Sequence, residues 1–249
     1  MSITTNIYTM CELDGNPSIA RISHQPHPNK NLLITPQFYF SMDFLQQPKQ
    51  IYIGKINTSE AEIRDLIKAW VAISIAFAMI MRGLAGLNFY QVFIVAAITV
   101  GTGFLLHELG HKLVAQRYGC FAEFRSFDQM LLLAIFMSFF GFVFAAPGAV
   151  MISGPVGKRR NGIISAAGPA VNIFLALLFL LLLFISYNSF MRIMAFYGFF
   201  INSWLALFNM IPVWNLDGAK VLRWDKKVYG IIVAIALLLM FLQNFISMA

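Results

Sequence analysis

Charge is what this sequence has least of. Only 12% of its 249 residues are Asp, Glu, Lys or Arg, against about a quarter in a soluble globular domain. The shortage is local: residues 1–68 carry charge at ordinary density, whereas 69–249 contain long stretches with none. That excludes an ordinary soluble core, because apolar runs of about 20 residues have the helical length that crosses a hydrocarbon layer. Cysteine is nearly absent as well. Cys11 and Cys120 are the only two, which excludes a disulfide framework and a cysteine-paired metal site. They read as two unrelated thiols. The first 20 residues lack an apolar h-region, so no cleavable signal peptide is expected. The net charge of +7 would suit a nucleic-acid partner in a soluble protein. In so apolar a chain, basic loops report orientation across a bilayer instead, and no nucleic-acid partner is expected.

What is present divides the chain in two. Residues 1–57 form a polar N-terminal region, expected in the cytoplasm, and 58–249 a membrane-embedded core. Met1–Lys30 is rich in turn residues and reads as an arm. His24 and His27 lie in it without a further ligand nearby, so they are not taken as a metal site. Residues 31–57 mix aromatic and β-branched residues with Pro and Gly, which predicts short surface strands. Ser59 followed by Glu62 has the spacing of a capping box and predicts a helix start there. Apolar spans are expected at Ala69–Met81, Leu87–Leu106, Ile163–Tyr187, Ile193–Val213 and Val228–Ile246. Leu131–Ser153 is apolar too but interrupted by Gly141, Pro147 and Gly148. The expected fold is an all-α polytopic membrane protein with five to six transmembrane helices.

The chemistry concentrates in His107-Glu108-Leu109-Gly110-His111, at the end of an apolar span. Residues four apart share one helix face. Two imidazoles so placed can hold one Zn²⁺, and the glutamate between them can reach a water on the metal. Two histidines and a carboxylate are expensive in an apolar span, and such groups normally serve a function.

A catalytic zinc site uses three protein ligands. No histidine follows His111, and the only downstream carboxylates are Glu123, Asp128, Asp217 and Asp225. Glu123 and Asp128 fall in a short polar loop, where carboxylates are usually solvated. Asp225 lies among basic residues, where an ion pair is expected. Asp217 ends an apolar span, and Pro212 and Gly218 predict a helix break there. Irregular backbone is tolerated at membrane depth where it lines a cavity, so Asp217 is the best candidate.

Three elements together resemble the site-2 protease family of intramembrane zinc metalloproteases: His107-Glu-Leu-Gly-His111, Gly168-Pro169-Ala-Val-Asn172 in a later span, and Asn209-x-x-Pro212-x-x-x-Leu216-Asp217-Gly218. The resemblance covers roughly residues 60–225. It implies that His107, His111 and Asp217 bind zinc and that Glu108 is the catalytic base. It also implies that Asn172 and Asn209 lie near the site and help hold the substrate backbone or the oxyanion. A β-like re-entrant loop is implied for Phe140–Val150. The chain departs from the family's aspartate motif at Trp214, Asn215 and Ala219, where a second proline and a second glycine are usual.

Basic residues give an independent check. If Leu131–Ser153 crossed the membrane, basic loops would fall on both sides, and His107 and Asp217 on opposite faces. If it dips in and returns, five spans remain. The heavily basic segments 55–68, 112–160 and 214–227 then lie inside, as the positive-inside rule expects. His107, His111 and Asp217 then share the cytoplasmic side. The expected function is zinc-dependent intramembrane endopeptidase activity at the cell membrane, with a membrane-spanning protein or peptide as substrate and the bilayer as surroundings. The alternative is a non-catalytic membrane metal-binding protein or transporter, which would have no use for Glu108.

Overall fold

The structure, a computed structural model, describes residues 50–246 except 54–55, 144–146, 155 and 214. The arm with His24, His27 and Cys11 lies outside the described residues. The described residues all belong to one compact unit, Lys49–Ala249.

The unit opens with an antiparallel hairpin, β1 (Gln50–Ile53) and β2 (Ile56–Ser59), where strands are expected. Helix α1 (Glu60–Ile80) begins at Ser59, whose side chain accepts from the Glu62 N–H. Only half of the predicted capping box forms. Glu62 does not reach back; its carboxylate is buried and bonds Lys112 and the Phe124 N–H instead. Charges fill the first half of α1 and apolar residues the rest.

Helix α2 (Phe89–Ala96), a π-helical turn (Ala97–Gly101) and α3 (Thr102–Arg117) then run as one continuous rod of 29 residues. Asn88 and Gln91 close a reciprocal capping box at its start. The π turn loosens the backbone ladder, and such turns are frequent at functional sites. The Ala97 carbonyl is satisfied by Trp70 Nε1 at 3.1 Å and Thr102 Oγ1 at 3.0 Å. Gly101 is needed there, since a Cβ would lie 2.6 Å from Ser74 Oγ and 2.8 Å from the Trp70 ring.

The apolar stretch Leu131–Ser153 does not form one helix. Helix α4 (Asp128–Ser138) stops well short of a span, and the chain returns extended as β4 (Gly148–Ser153). That strand pairs antiparallel with β3 (Phe121–Ser126), from Phe121 opposite Ser153 to Ser126 opposite Gly148. The Gly-Pro-Gly interruptions explain the break, since proline and glycine disfavour helix interiors.

Helices α5 (Lys158–Ile185), α6 (Ser189–Asn209), α7 (Asp217–Trp224) and α8 (Lys226–Leu242) complete the unit. Asp225 does not form the expected ion pair but caps α8, accepting from the Lys227 and Val228 N–H groups. Among the described residues, four helices are long and apolar enough to cross a membrane: Phe89–Arg117, Lys158–Ile185, Ser189–Asn209 and Lys226–Phe245. Their outer faces carry exposed large apolar side chains such as Phe174, Leu181, Phe184 and Leu238. A helix that presents such a face to its surroundings suits lipid rather than water. The molecule is therefore a mostly helical membrane protein.

Candidate metal centre

Helix α3 carries His107 and His111 on one face, and both are buried. Their rings meet edge to face with centroids 4.7 Å apart. The third group arrives from the far end of the chain. α6 ends at Asn209, the chain breaks around Pro212, and α7 opens on Asp217. Gly218 permits this join, because a Cβ there would lie 2.1 Å from the Met210 carbonyl oxygen. Asp217 Oδ2 lies 3.0 Å from His111 Nε2 and 3.3 Å from His107 Nε2, and the two Nε2 atoms are 3.1 Å apart. Asp217 thus joins two histidines more than a hundred positions earlier.

This geometry fits a zinc ion. Ligand atoms on a tetrahedral Zn²⁺ with bonds of ~2.0 Å stand about 3.3 Å from one another. Tautomers point the same way. His111 Nδ1 lies 2.8 Å from the Ile164 carbonyl oxygen, which can only accept, so Nδ1 carries a proton and donates it. With His111 neutral, Nε2 turns a lone pair toward the same point as the Asp217 carboxylate, the arrangement two ligands of one cation adopt. Burial disfavours the Asp217 carboxylate, yet positive charge at the two imidazoles, as when they carry a proton, holds its pKa below the ordinary carboxylate range. It is thus poised as an anionic ligand.

Helix α5 builds the floor. Pro169, inside α5, has no N–H to donate to the Ser165 carbonyl. The neighbouring Ile164 carbonyl is the one that receives His111. Gly168 lies directly beneath both rings: a Cβ there would be 2.5 Å from His111 Nε2 and 2.6 Å from both Nε2 and Cε1 of His107. Asn172, fully buried, places its amide 3.1 Å from His107 Nδ1. Its Oδ1 is buried without a hydrogen-bond partner in this orientation. Turning the amide by half a rotation lets Oδ1 accept from a His107 Nδ1–H, leaving Nε2 free for metal. Outer partners of this kind typically carry 10–100-fold of metal affinity. Asn172→Leu is therefore expected to weaken zinc binding by about 10–100-fold, measured by competition with a chromogenic chelator. Unchanged affinity would remove Asn172 from the site.

Glu108 projects toward β4, where its Oε2 accepts from the Val150 backbone N–H at 3.2 Å. Asn209, the last residue of α6, is half-buried and donates to the Leu205 carbonyl of its own helix at 2.9 Å, not to the histidine–aspartate cluster. The other downstream carboxylates stay out of the cluster. Asp128 is exposed and pairs with Lys68 at 2.7 Å. Glu123, expected to be solvated, is buried, pairs with Arg125 and accepts from Gln50. Sequence reasoning missed Gly168 as a steric element, although it opens the Gly168–Asn172 segment that carries part of the family resemblance.

No family model matches the chain, and no solved structure matches it. Two curated relatives do, both from Methanocaldococcus jannaschii. One, which its name assigns provisionally as a zinc metalloprotease, is 39% identical over 178 residues, covering 70% of this chain and 90% of the relative. The other, named a zinc metalloprotease, is 28% identical over 158 residues, covering 63% of this chain and 42% of the relative. A buried His-His-Asp cluster with zinc-compatible spacing and this extent of identity lead to one assignment: the chain belongs to the zinc metalloprotease family.

Proposed function

We propose that the protein is a zinc-dependent endopeptidase of the site-2 protease type, cutting membrane-spanning proteins or peptides within or at the edge of the cell membrane. The observation that carries this reading is the meeting of Glu108 with the Val150 N–H beside the His107–His111–Asp217 cluster. It puts a carboxylate, a metal site and a strand edge in one place.

The strand edge follows from the ladder. β3 and β4 form a two-stranded sheet, so among the described residues β4 has one partner strand. Successive N–H groups along a strand point to opposite edges. The Val150 N–H is taken by Glu108 and not by β3, so it faces the outer edge, and those of Gly148 and Ile152 face it too. A substrate helix hides its peptide bonds in its own i→i−4 hydrogen bonds and must unwind before cleavage. In this reading the unwound segment pairs with the outer edge of β4 by β-augmentation, which sets its carbonyl beside the metal.

Bound zinc supplies Lewis acidity, bringing the pKa of a coordinated water from about 16 to about 7. His107, His111 and Asp217 would hold the metal. Glu108 accepts the proton of the attacking water and later returns it to the leaving amine. Asn172 orients His107 from behind. Asn209, by resemblance, meets the substrate backbone or oxyanion from the end of α6. α4 and β4 together act as a re-entrant element. With α1 as a fifth span, the basic segments and the metal centre share the cytoplasmic side.

The test is cleavage of a single-span substrate in detergent by the purified full-length protein. Cleavage abolished by a chelator and restored by Zn²⁺ is expected. Stoichiometric zinc without cleavage of any single-span substrate would favour the metal-binding or transport alternative.

A further inference from the structure

A buried ion pair lies just behind the metal centre. Glu62, at the first turn of α1, is fully buried, and Lys112, the residue after His111, is 2% exposed. Lys112 Nζ lies 2.5 Å from Glu62 Oε2. The same oxygen accepts from Thr58 Oγ1 at 2.8 Å, and Oε1 accepts from the Phe124 backbone N–H at 3.0 Å. One carboxylate thus ties together β2, α1, α3 and β3.

Stability alone gives little reason for such a pair, since well-packed apolar residues in its place are often as stable or more so. The third hydrogen bond is what an apolar pair could not make. Phe124 stands opposite Val150 in the β3–β4 register. The Phe124 N–H goes to Glu62 and the Val150 N–H to Glu108. In a non-hydrogen-bonded antiparallel pair both residues turn their backbone groups away from the partner strand. The ribbon is therefore gripped at a single cross-strand pair from its two edges, by Glu62 at the β3 edge and by Glu108 at the β4 edge. Glu108 is the carboxylate that the protease reading also needs for proton transfer. Glu62 has no such duty, and Lys112 balances its charge. The Phe124 ring adds to the seat, meeting Phe104 of α3 edge to face at 5.9 Å.

We infer that Glu62 is a positioning residue: it accepts the Phe124 N–H and thereby holds the edge of β4 at the height of the metal on α3, with Lys112 as its fixed counter-charge. This rests on the protease reading for its catalytic consequence. A displacement of about 1 Å at a reacting centre can cost about 100-fold in rate.

Two double variants of the full-length protein separate anchoring from ion pairing. Glu62→Gln/Lys112→Met removes both charges but keeps an oxygen for the Phe124 N–H. Glu62→Met/Lys112→Met removes both charges and the acceptor. Four quantities are read: bound zinc, thermal midpoint, amide hydrogen exchange of 121–126 and 148–153, and kcat per bound zinc. The Met/Met protein is expected to fold and hold zinc, to exchange both strands faster, and to lose about 100-fold in kcat. The Gln/Met protein is expected to match wild type in exchange and kcat. The inference is overturned if Met/Met keeps wild-type exchange and kcat, if both variants fall equally, or if Met/Met loses zinc and folding altogether. The last outcome would make Glu62 merely structural. A wild-type protein that holds zinc but cleaves nothing would count against the protease reading alone, and strand exchange would still decide the anchoring.

Discussion

Glu108→Gln should bind zinc as the wild-type protein does and cleave at least 10²–10⁴ times more slowly, the range that a positioned general base typically contributes. The substitution is nearly isosteric, and the amide oxygen can still accept from the Val150 N–H that Glu108 now holds at 3.2 Å. The strand edge should stay in place, so KM should change little. A loss confined to kcat marks an interaction used in the transition state rather than in binding. Metal content and steady-state cleavage of one single-span substrate give both numbers. A Glu108→Gln protein that cuts normally would move the base elsewhere. One that lost zinc would make Glu108 part of the metal shell.

Gly168→Ala carries the second large effect. A methyl group is a small change, and in a helix alanine is favoured over glycine by about 1 kcal/mol. At this position the methyl carbon would stand 2.5 Å from His111 Nε2 and 2.6 Å from His107 Nε2. Nonbonded carbon contacts prefer about 3.5–4 Å. The rings would have to turn away, and the two nitrogens that face the metal would part. Zinc affinity should fall by more than ~100-fold, beyond what loss of an outer partner alone typically costs, while the protein still folds with a thermal midpoint lowered by no more than overpacking of about 1–3 kcal/mol entails. Gly230→Ala supplies the control: in α8 a Cβ meets nothing within 4 Å. Wild-type zinc affinity in Gly168→Ala would show that the histidine rings do not sit over α5 as described.

The metal centre was legible because its chemistry is local in one part and scarce in the other. Four-residue spacing puts His107 and His111 on one helix face whatever else the chain does. After His111 only four carboxylates remain, which narrowed the candidates for a third ligand, and Asp217 is the one that meets the two histidines. Positions set by tertiary packing were not legible. Glu123 lies in a short polar loop yet is buried against Arg125 and Gln50. Glu62 has the spacing of a capping glutamate, but a lysine 50 positions away outcompetes the helix end for its carboxylate. The π turn before α3 leaves no periodicity signal, since it adds one residue to an otherwise regular apolar helix. The extended return of β4 was signalled by Gly and Pro, whereas its register against β3 depends on contacts that no short window contains.

The central claim is that a single zinc ion is shared by two histidines of α3 and the first residue of α7. X-ray absorption at the zinc edge of the purified full-length protein tests it most directly, with wild type compared to Asp217→Ala. The account predicts one zinc per chain in the wild type, with two imidazole nitrogens and at least one oxygen at about 2.0–2.1 Å, and a changed or lost zinc signal in the variant. A wild-type spectrum without imidazole, or the same spectrum and zinc content in both proteins, would contradict it.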